Sequence, residues 1–314
     1  MARVLITGIT GFMGKYLTKM LLEKNHQVYG NIFDRDESPP DANESLHLRF
    51  CDVRIKDQVT ELINESKPDF IYHLAAQSLP MKSWKNPKET MDTNFSGTVN
   101  LFDSILEQKL EPKILVACSS AEYGFTAITK NNALNEEDPL EPVHPYGLSK
   151  VCQDLISKQY FLNYGMKVIR ARIFNTIGPG KKDDFVGDVS MQISKILKNN
   201  QDPIIHVGNL ETERDISDVR DQIKALTSLL ENGVPGEVYN VCSGRAVKIK
   251  ELLDKMIIIS GRDIKINKDP KKIRKIDEPL ILGDPSKIRK ECSWNEEITI
   301  EKSLTDSINF WNQE

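Results

Sequence analysis

The chain is poor in cysteine, in long apolar runs and in any excess of one charge, and each shortage removes a class of protein. Five cysteines in 314 residues, at 51, 118, 152, 242 and 292, form no C-x-x-C pair and no paired histidine spacing. Neither a disulfide framework nor a zinc site therefore organises the chain. They read as buried free thiols of a reducing compartment, and no metal is expected. The best apolar cluster, residues 256–259, is one turn of helix, far from the ~18 residues of a membrane span. Only Val4, Leu5 and Ile6 precede Gly8 as an apolar run, too short for a signal-peptide core. A cytoplasmic protein is expected, with no membrane partner. Lys+Arg number 42 against 46 Asp+Glu, a net charge of -4, which offers no field for holding nucleic acid. An anionic ligand must be held by local groups.

What is present is a core and an alternation. Hydrophobic residues make up 39%, enough for a large interior. Short β-rich runs at residues 4–7, 27–33, 46–51, 70–74 and 113–118 alternate with helix-period segments at 12–23 and 55–65. Such alternation builds right-handed βαβ units and a parallel sheet. Two longer helices are expected at 87–108 and 145–164, each opening with proline, which suits a first helical turn. Further elements are expected at 167–173, 204–207, 219–231 and 237–241. Past Pro179 the alternation loosens. The expected organisation is a dinucleotide-binding domain over 1–178, with sheet elements returning near 204–241, and a smaller lobe built mainly from 179–314. The basic run Lys265, Lys268, Lys271, Lys272, Arg274 and Lys275 reads chiefly as a solvated surface.

Gly8-Ile9-Thr10-Gly11-Phe12-Met13-Gly14 lies between the first strand and the first helix. Glycine is needed where a tight turn lets backbone approach a pyrophosphate, whose charge meets the positive end of the helix. In that context the motif predicts a Rossmann-type doubly wound sheet that binds a dinucleotide. With Cys51-Asp52-Val53, His73-Leu74-Ala75-Ala76 and Asn94 in a Thr-Asn-Phe-Ser-Gly-Thr segment, the chain resembles the extended short-chain dehydrogenase/reductases over nearly its whole length. The resemblance implies that Asp52 bonds the adenine, that Val53, Leu74, Ala75 and Ala76 lie along the cofactor, and that Asn94 braces the sheet from a helix. The acid that would grip a ribose diol is expected at Ile32. Its absence, with Arg35 nearby, leans the cofactor towards NADP(H), while Asp34 keeps NAD(H) open.

Tyr146-Gly147-Leu148-Ser149-Lys150 places a phenol and an ammonium one turn apart on one helix face. At ~4 Å and an effective dielectric of ~20 such a pair interacts by ~4 kcal/mol, which would bring the phenol towards neutrality, where acid-base catalysis works best. The resemblance adds a ribose-holding role for Lys150, and for Ser119, four residues before Tyr123-Gly124, a hydrogen bond to the reacting sugar oxygen.

Ala75-Ala76-Gln77-Ser78 and residues 208–215 are similar to the nucleotide-sugar subgroup containing GDP-mannose 4,6-dehydratase and GDP-4-keto-6-deoxy-mannose reductase. The likeness implies substrate contacts from Gln77, Ser119, Ser120, Glu122 and Asn175, with Arg214 and Arg274 clasping the nucleotide or its diphosphate. For each arginine, a structural pairing with Asp215 or Asp277 is the other reading. Dehydratases of the group carry an acid/base Glu two residues before the Tyr of the Tyr-Gly pair. Here that position is Ala121; Glu122 is adjacent, and a local shift of the loop could still present it. The implied activity is NAD(P)H-dependent reduction of a nucleotide-linked 4-keto-6-deoxy sugar, GDP-4-keto-6-deoxy-D-mannose giving GDP-D-rhamnose. A 4,6-dehydratase, a 4-epimerase and a non-catalytic cofactor sensor are the alternatives. A homodimer is expected through the two long helices, with Met91, Phe95, Phe102, Leu106, Leu155, Tyr160 and Phe161 offered to the partner.

Overall fold

The computed structural model describes residues 1–34, 39–130, 132–272 and 277–314. Among these, the strands in chain order are β1 Arg3–Thr7, β2 Gln27–Ile32, β3 Leu46–Phe50, β4 Phe70–His73, β5 Lys113–Ser119, β6 Val168–Ile173, β7 Asn175–Ile177, β8 Ile204–Val207, β9 Glu213–Asp218, β10 Val238–Val241, β11 Ala246–Lys248, β12 Lys265–Lys268 and β13 Leu280–Ile281. The helices are α1 Phe12–Glu23, α2 Lys56–Ser66, α3 Pro80–Lys85, α4 Pro87–Met91, α5 Gly97–Glu107, α6 Phe125–Lys130, α7 Pro145–Tyr164, α8 Phe185–Leu197, α9 Val219–Asn232, α10 Ile249–Ser260, α11 Ser286–Cys292 and α12 Ile300–Gln313.

Seven strands form one parallel sheet in the order β10-β6-β5-β4-β1-β2-β3. Alternation along each strand splits its side chains between two cores. Val4, Ile6, Leu115, Ile169 and Ala171 pack on one face with α1, α9 and α11. Leu5, Ile114, Val116, Cys118 and Val168 pack on the other with α2 and α5. Both faces are covered, so these strands read as continuous apolar runs rather than as polar-apolar alternation. The chain reverses direction across the sheet between β1 and β4. In a doubly wound sheet the carboxyl ends at that reversal form the ligand crevice.

A second body of chain gathers a four-stranded sheet, in which β9 pairs β11, β13 and β7, and the two-stranded β12-β8. Its core joins residues of α8, α10 and α12, including Ile193, Leu253 and Leu304. Lys265 and Lys268 are exposed on β12, as expected of a solvated surface; Arg274 and Lys275 fall outside the described residues.

The helix expected over 87–108 is interrupted. Between α4 and α5, Asp92–Ser96 forms a π turn, and at its centre Asn94 is wholly buried. Its Oδ1 accepts the Gln77 N–H at 2.8 Å, and its Nδ2 donates to the Gln77 carbonyl at 3.1 Å and to Ser149 Oγ at 2.8 Å. One side chain thus ties the segment after β4 to α7. Phe102 is a correction to the expected dimer face. It is 0% exposed and belongs to the core, on the same buried face of α5 as Leu101 and Ile105.

Replacing Asn94 by Ala strips partners from buried amide and hydroxyl groups and is expected to cost at least about 2 kcal/mol. Chemical denaturation measures it; a variant as stable as the parent would refute the bracing role.

Candidate active site

The carboxyl ends of β1, β4 and β5 open onto a cleft of about 770 Å³. Its floor begins at the glycine turn. Gly8 has φ +75, and a Cβ there would lie 2.8 Å from the Ala75 nitrogen, so only glycine lets the end of β1 approach the end of β4. At Gly14 a Cβ would meet the Gly8 carbonyl at 2.3 Å, so α1 starts against its own turn. The turn is braced by a residue that sequence reasoning missed, Asn31. Its Oδ1 accepts the Gly8 N–H at 2.7 Å and its Nδ2 donates to the Cys51 carbonyl at 2.8 Å. The available signal was an amide in the buried part of the strand, after Val28, Tyr29 and Gly30.

Gly8, Gly11, Phe12, Met13, Gly14, Asp52, Val53, Leu74, Ala75 and Ala76 all line this cleft. Arg35 lies outside the described residues. A second residue not anticipated, Arg54, lines the cleft beside Asp52. Its guanidinium binds both Asp52 oxygens at 2.7 to 3.0 Å and sits 5.3 Å from the Phe33 ring centroid. Asp52 is correspondingly held below the usual carboxylate range by the Arg54 bonds, against the opposing effect of its burial.

α7 begins where its sequence says it should. Pro145 occupies the first turn, and the His144 side chain accepts the Gly147 N–H at 2.9 Å as N-cap. Tyr146 and Lys150 follow one turn apart and both line the cleft, as does Ser119 at the end of β5. Ser119 Oγ accepts the Ala121 N–H at 3.2 Å, and its side chain is hydrogen-bonded to the Tyr146 phenol.

The electrostatic coupling expected of this pair is not what the geometry provides. Lys150 turns its ammonium to the Ala117 carbonyl at 2.8 Å and to Gln153 Oε1 at 2.7 Å. Burial pushes the Tyr146 phenol up to about 12, with the Ser119 bond pulling the other way. Burial also lowers Lys150 to about 8. Adjacent helical positions bring two side chains to one face, but the nearest acceptors decide where an ammonium points. Burial therefore keeps Tyr146 a neutral phenol.

Glu122 is the second correction. It is 0% exposed and lies behind the cleft instead of lining it. One oxygen accepts the Ser119 N–H at 2.8 Å, and the other is 3.3 Å from Arg172 Nε. Arg172 is shared at 3.0 Å with Asp154, which also binds Arg170. Burial, then the charge of Asp154, push the Glu122 carboxyl well above the usual range, while Arg172 opposes them. Cys118, Glu122 and Asp154 offer ligand atoms within 4.8 Å of one another, yet the two guanidinium groups already supply the cationic charge there. A carboxylate so committed is no substrate contact.

The remaining substrate residues divide. Ser120 and Ala121 line the cleft. Gln77 also lines it, but its amide is engaged by Leu79 and by Thr90 Oγ1 at 3.0 Å. Asn175 faces the cleft while donating to the Asp215 carbonyl at 3.1 Å. Arg214 is 7% exposed and bonds Asp277 at 2.7 Å and the Glu278 carbonyl at 2.6 Å. It meets both readings, a paired arginine whose side chain lines the cleft. Arg274 lies outside the described residues.

Residues 5–307 match the family model described as GDP-mannose 4,6 dehydratase. The chain belongs to this family. GDP-6-deoxy-D-mannose reductase of Pseudomonas aeruginosa is 31% identical over 98% of this chain and 97% of its own. GDP-mannose 4,6-dehydratase of Yersinia enterocolitica is 27% identical over 98% and 93%. Among solved structures, RMD from Pseudomonas aeruginosa complexed with NADPH superposes with a TM-score of 0.86 at 30% identity, covering 100% of this chain and 99% of that one. The GDP-mannose 4,6-dehydratase family thus includes a chain with a serine, a tyrosine and a lysine in one cleft, in an extended short-chain dehydrogenase/reductase fold of the nucleotide-sugar type.

Within this family member, Tyr146→Phe is expected to leave NADPH binding near the parent value and to lower turnover ~10²- to 10⁴-fold, the usual worth of a positioned acid. Fluorescence titration and steady-state kinetics separate the two effects. Full turnover in the variant would remove Tyr146 as the acid.

Proposed function

We propose that the protein reduces the 4-keto group of GDP-4-keto-6-deoxy-D-mannose to give GDP-D-rhamnose, with NADPH as hydride donor. One observation carries the choice of reduction over dehydration. The position where a dehydratase needs its acid/base carboxylate is Ala121 on the cleft wall, and the neighbouring Glu122 is locked behind it by Ser119 and Arg172. Elimination requires a group to take one proton and deliver another. Reduction requires a hydride, a serine to hold the keto oxygen and a protonated phenol, and Ser119 and Tyr146 supply the last two. The likeness to GDP-6-deoxy-D-mannose reductase supports the same reading.

The glycine turn would take the cofactor pyrophosphate on the N-terminal amides of α1, Asp52 the adenine, and Lys150 the nicotinamide ribose. Bound NADPH would supply the hydride. Ile32 stands where an acid would grip a ribose diol, and Arg35 follows it in sequence; both favour the 2′-phosphate form, while Arg54 is paired with Asp52. Gln77, Ser119, Ser120, Asn175, Arg214 and Arg274 are assigned to the sugar nucleotide, with residues 179–314 as its main lobe.

We also assign a homodimer in the cytoplasm. No helix among the described residues is long and apolar enough to cross a membrane, and the cysteines are free thiols. α7 carries Leu148, Leu155 and Leu162 at heptad spacing, 49, 51 and 64% exposed, with Trp84 of the adjoining α3 at 58%. A stripe of this kind suits self-association across a two-fold axis.

Purified protein given GDP-mannose and NADP⁺ should yield no 4-keto-6-deoxy product by NMR, and should consume NADPH when given that product. Catalytic formation of the keto sugar from GDP-mannose would reverse the assignment. Sedimentation should return twice the chain mass, and Leu155→Arg with Leu162→Arg should return a folded monomer. A concentration-independent monomer in the parent protein would exclude the dimer.

A further inference from the structure

Lys150 is only 3% exposed, and one of the two groups that receive its ammonium is a glutamine with no exposed surface. Gln153 stands three residues further along α7, its Oε1 2.7 Å from Lys150 Nζ. Its amide has no freedom to flip, for a reason that lies one hydroxyl away. Thr98 has one proton to give, and gives it to the Asn94 carbonyl at 2.7 Å. Gln153 Nε2, 2.7 Å from the same oxygen, must therefore donate to it. With nitrogen committed to Thr98, oxygen faces the lysine.

The same accounting extends to β1. His73 Nε2, 2.9 Å from Thr98 Oγ1, must also donate, so Nδ1 accepts the Thr7 hydroxyl at 2.7 Å. Thr7 Oγ1 in turn takes the Ala75 N–H at 3.2 Å. Burial, then the charge of Lys150, holds His73 down at about 3, so the imidazole is neutral and these donor roles follow. Thr7 is the last residue before the glycine turn.

We infer that Gln153 is a positioning residue for Lys150, holding its ammonium charged and in place and tying that placement, through Thr98 and His73, to the turn after β1. The inference rests on the reading in which Lys150 grips the cofactor ribose. An ammonium has three protons; Ala117 and Gln153 take two and leave the third for the cleft. An uncharged acceptor suits this task, since it favours the ammonium without neutralising it. The other titratable groups around Lys150 are the Cys118 thiol and Glu122, which favour its charge, neutral His73, and Tyr146 on its own helix. Asp154, next after Gln153, is taken up by Arg170 and Arg172. Burial outweighs these and sets Lys150 at about 8, so a change at its acceptor moves its charge within the working range.

The test is NADPH binding by fluorescence across pH, without sugar, in the parent protein, Gln153→Leu and Gln153→Glu. Parent affinity should fall as pH rises through a midpoint near 8, clear of the 2′-phosphate ionisation at ~6. Gln153→Leu removes an acceptor that favours the charged form, so its midpoint should move down by about one unit or more. Gln153→Glu places a carboxylate there and should move it up. Opposite shifts support the inference. An unmoved midpoint in both, with affinity lowered by a constant factor, would show packing alone and overturn it. Should Gln153→Leu lose its near-ultraviolet circular dichroism, an unmoved or lowered midpoint in Gln153→Glu overturns it by itself. A parent protein that binds no NADPH at any pH would defeat the cofactor reading first, and this one with it.

Discussion

A lysine ammonium held out of water is the constraint around which this molecule is arranged. Such a charge costs several kcal/mol to bury unless hydrogen bonds replace its hydration. Here the replacements come from β5, through the Ala117 carbonyl, and from the next turn of α7, through Gln153. β5 must therefore run beside α7 with its carboxyl end at the level of Lys150. That same end carries Ser119. Pro145 and the His144 cap start the helix one turn earlier and put Tyr146 on the cleft wall. The serine, the tyrosine and the lysine meet because one strand end and one helix start are fixed together by a single buried charge.

Residue 154 turns the neighbouring position of α7 to a different use. Asp154 pairs with both Arg170 and Arg172, which β6 sends into the same interior. Arg172 then reaches Glu122, and Glu122 holds the Ser119 backbone. The carboxylate nearest in sequence to a dehydratase's acid/base position is thus drawn backwards by an arginine that the fold must neutralise. Its structural use and its absence from the cleft are one fact. It follows that the strand-end serine is held from both sides, its N–H by Glu122 and its hydroxyl by Ala121 and Tyr146.

The parts of this arrangement that were legible in the sequence are those that local backbone geometry dictates. The glycine turn, the proline-started α7 and its i, i+4 pair need only a few consecutive residues, and α1 and α7 fall at the bounds expected of them. The doubly wound sheet follows from alternation and length, and the family resemblance stands. Illegible were contacts set by distant partners. Asn31 reaches Gly8 across 23 positions, Gln153 reaches Thr98 across 55, and Arg172 reaches Tyr123 across 49. The π turn around Asn94 leaves no mark in periodicity, and it divides the helix expected over 87–108. Spacing gave the face shared by Tyr146 and Lys150 but not the direction of the ammonium, since direction is chosen by acceptors on other elements.

That direction bears on the state of the phenol. A nearby uncompensated ammonium draws a phenol towards ionisation, the state suited to removing a proton from a sugar hydroxyl. With the ammonium turned to Ala117 and Gln153, burial dominates and the phenol stays protonated, pushed up to about 12. A phenol is protonated near neutral pH even in water, so this state serves a reduction without by itself choosing between the half-reactions. The choice falls to the missing carboxylate at Ala121 on the cleft wall. Elimination needs a second acid/base group there, and addition of hydride and proton to a carbonyl does not.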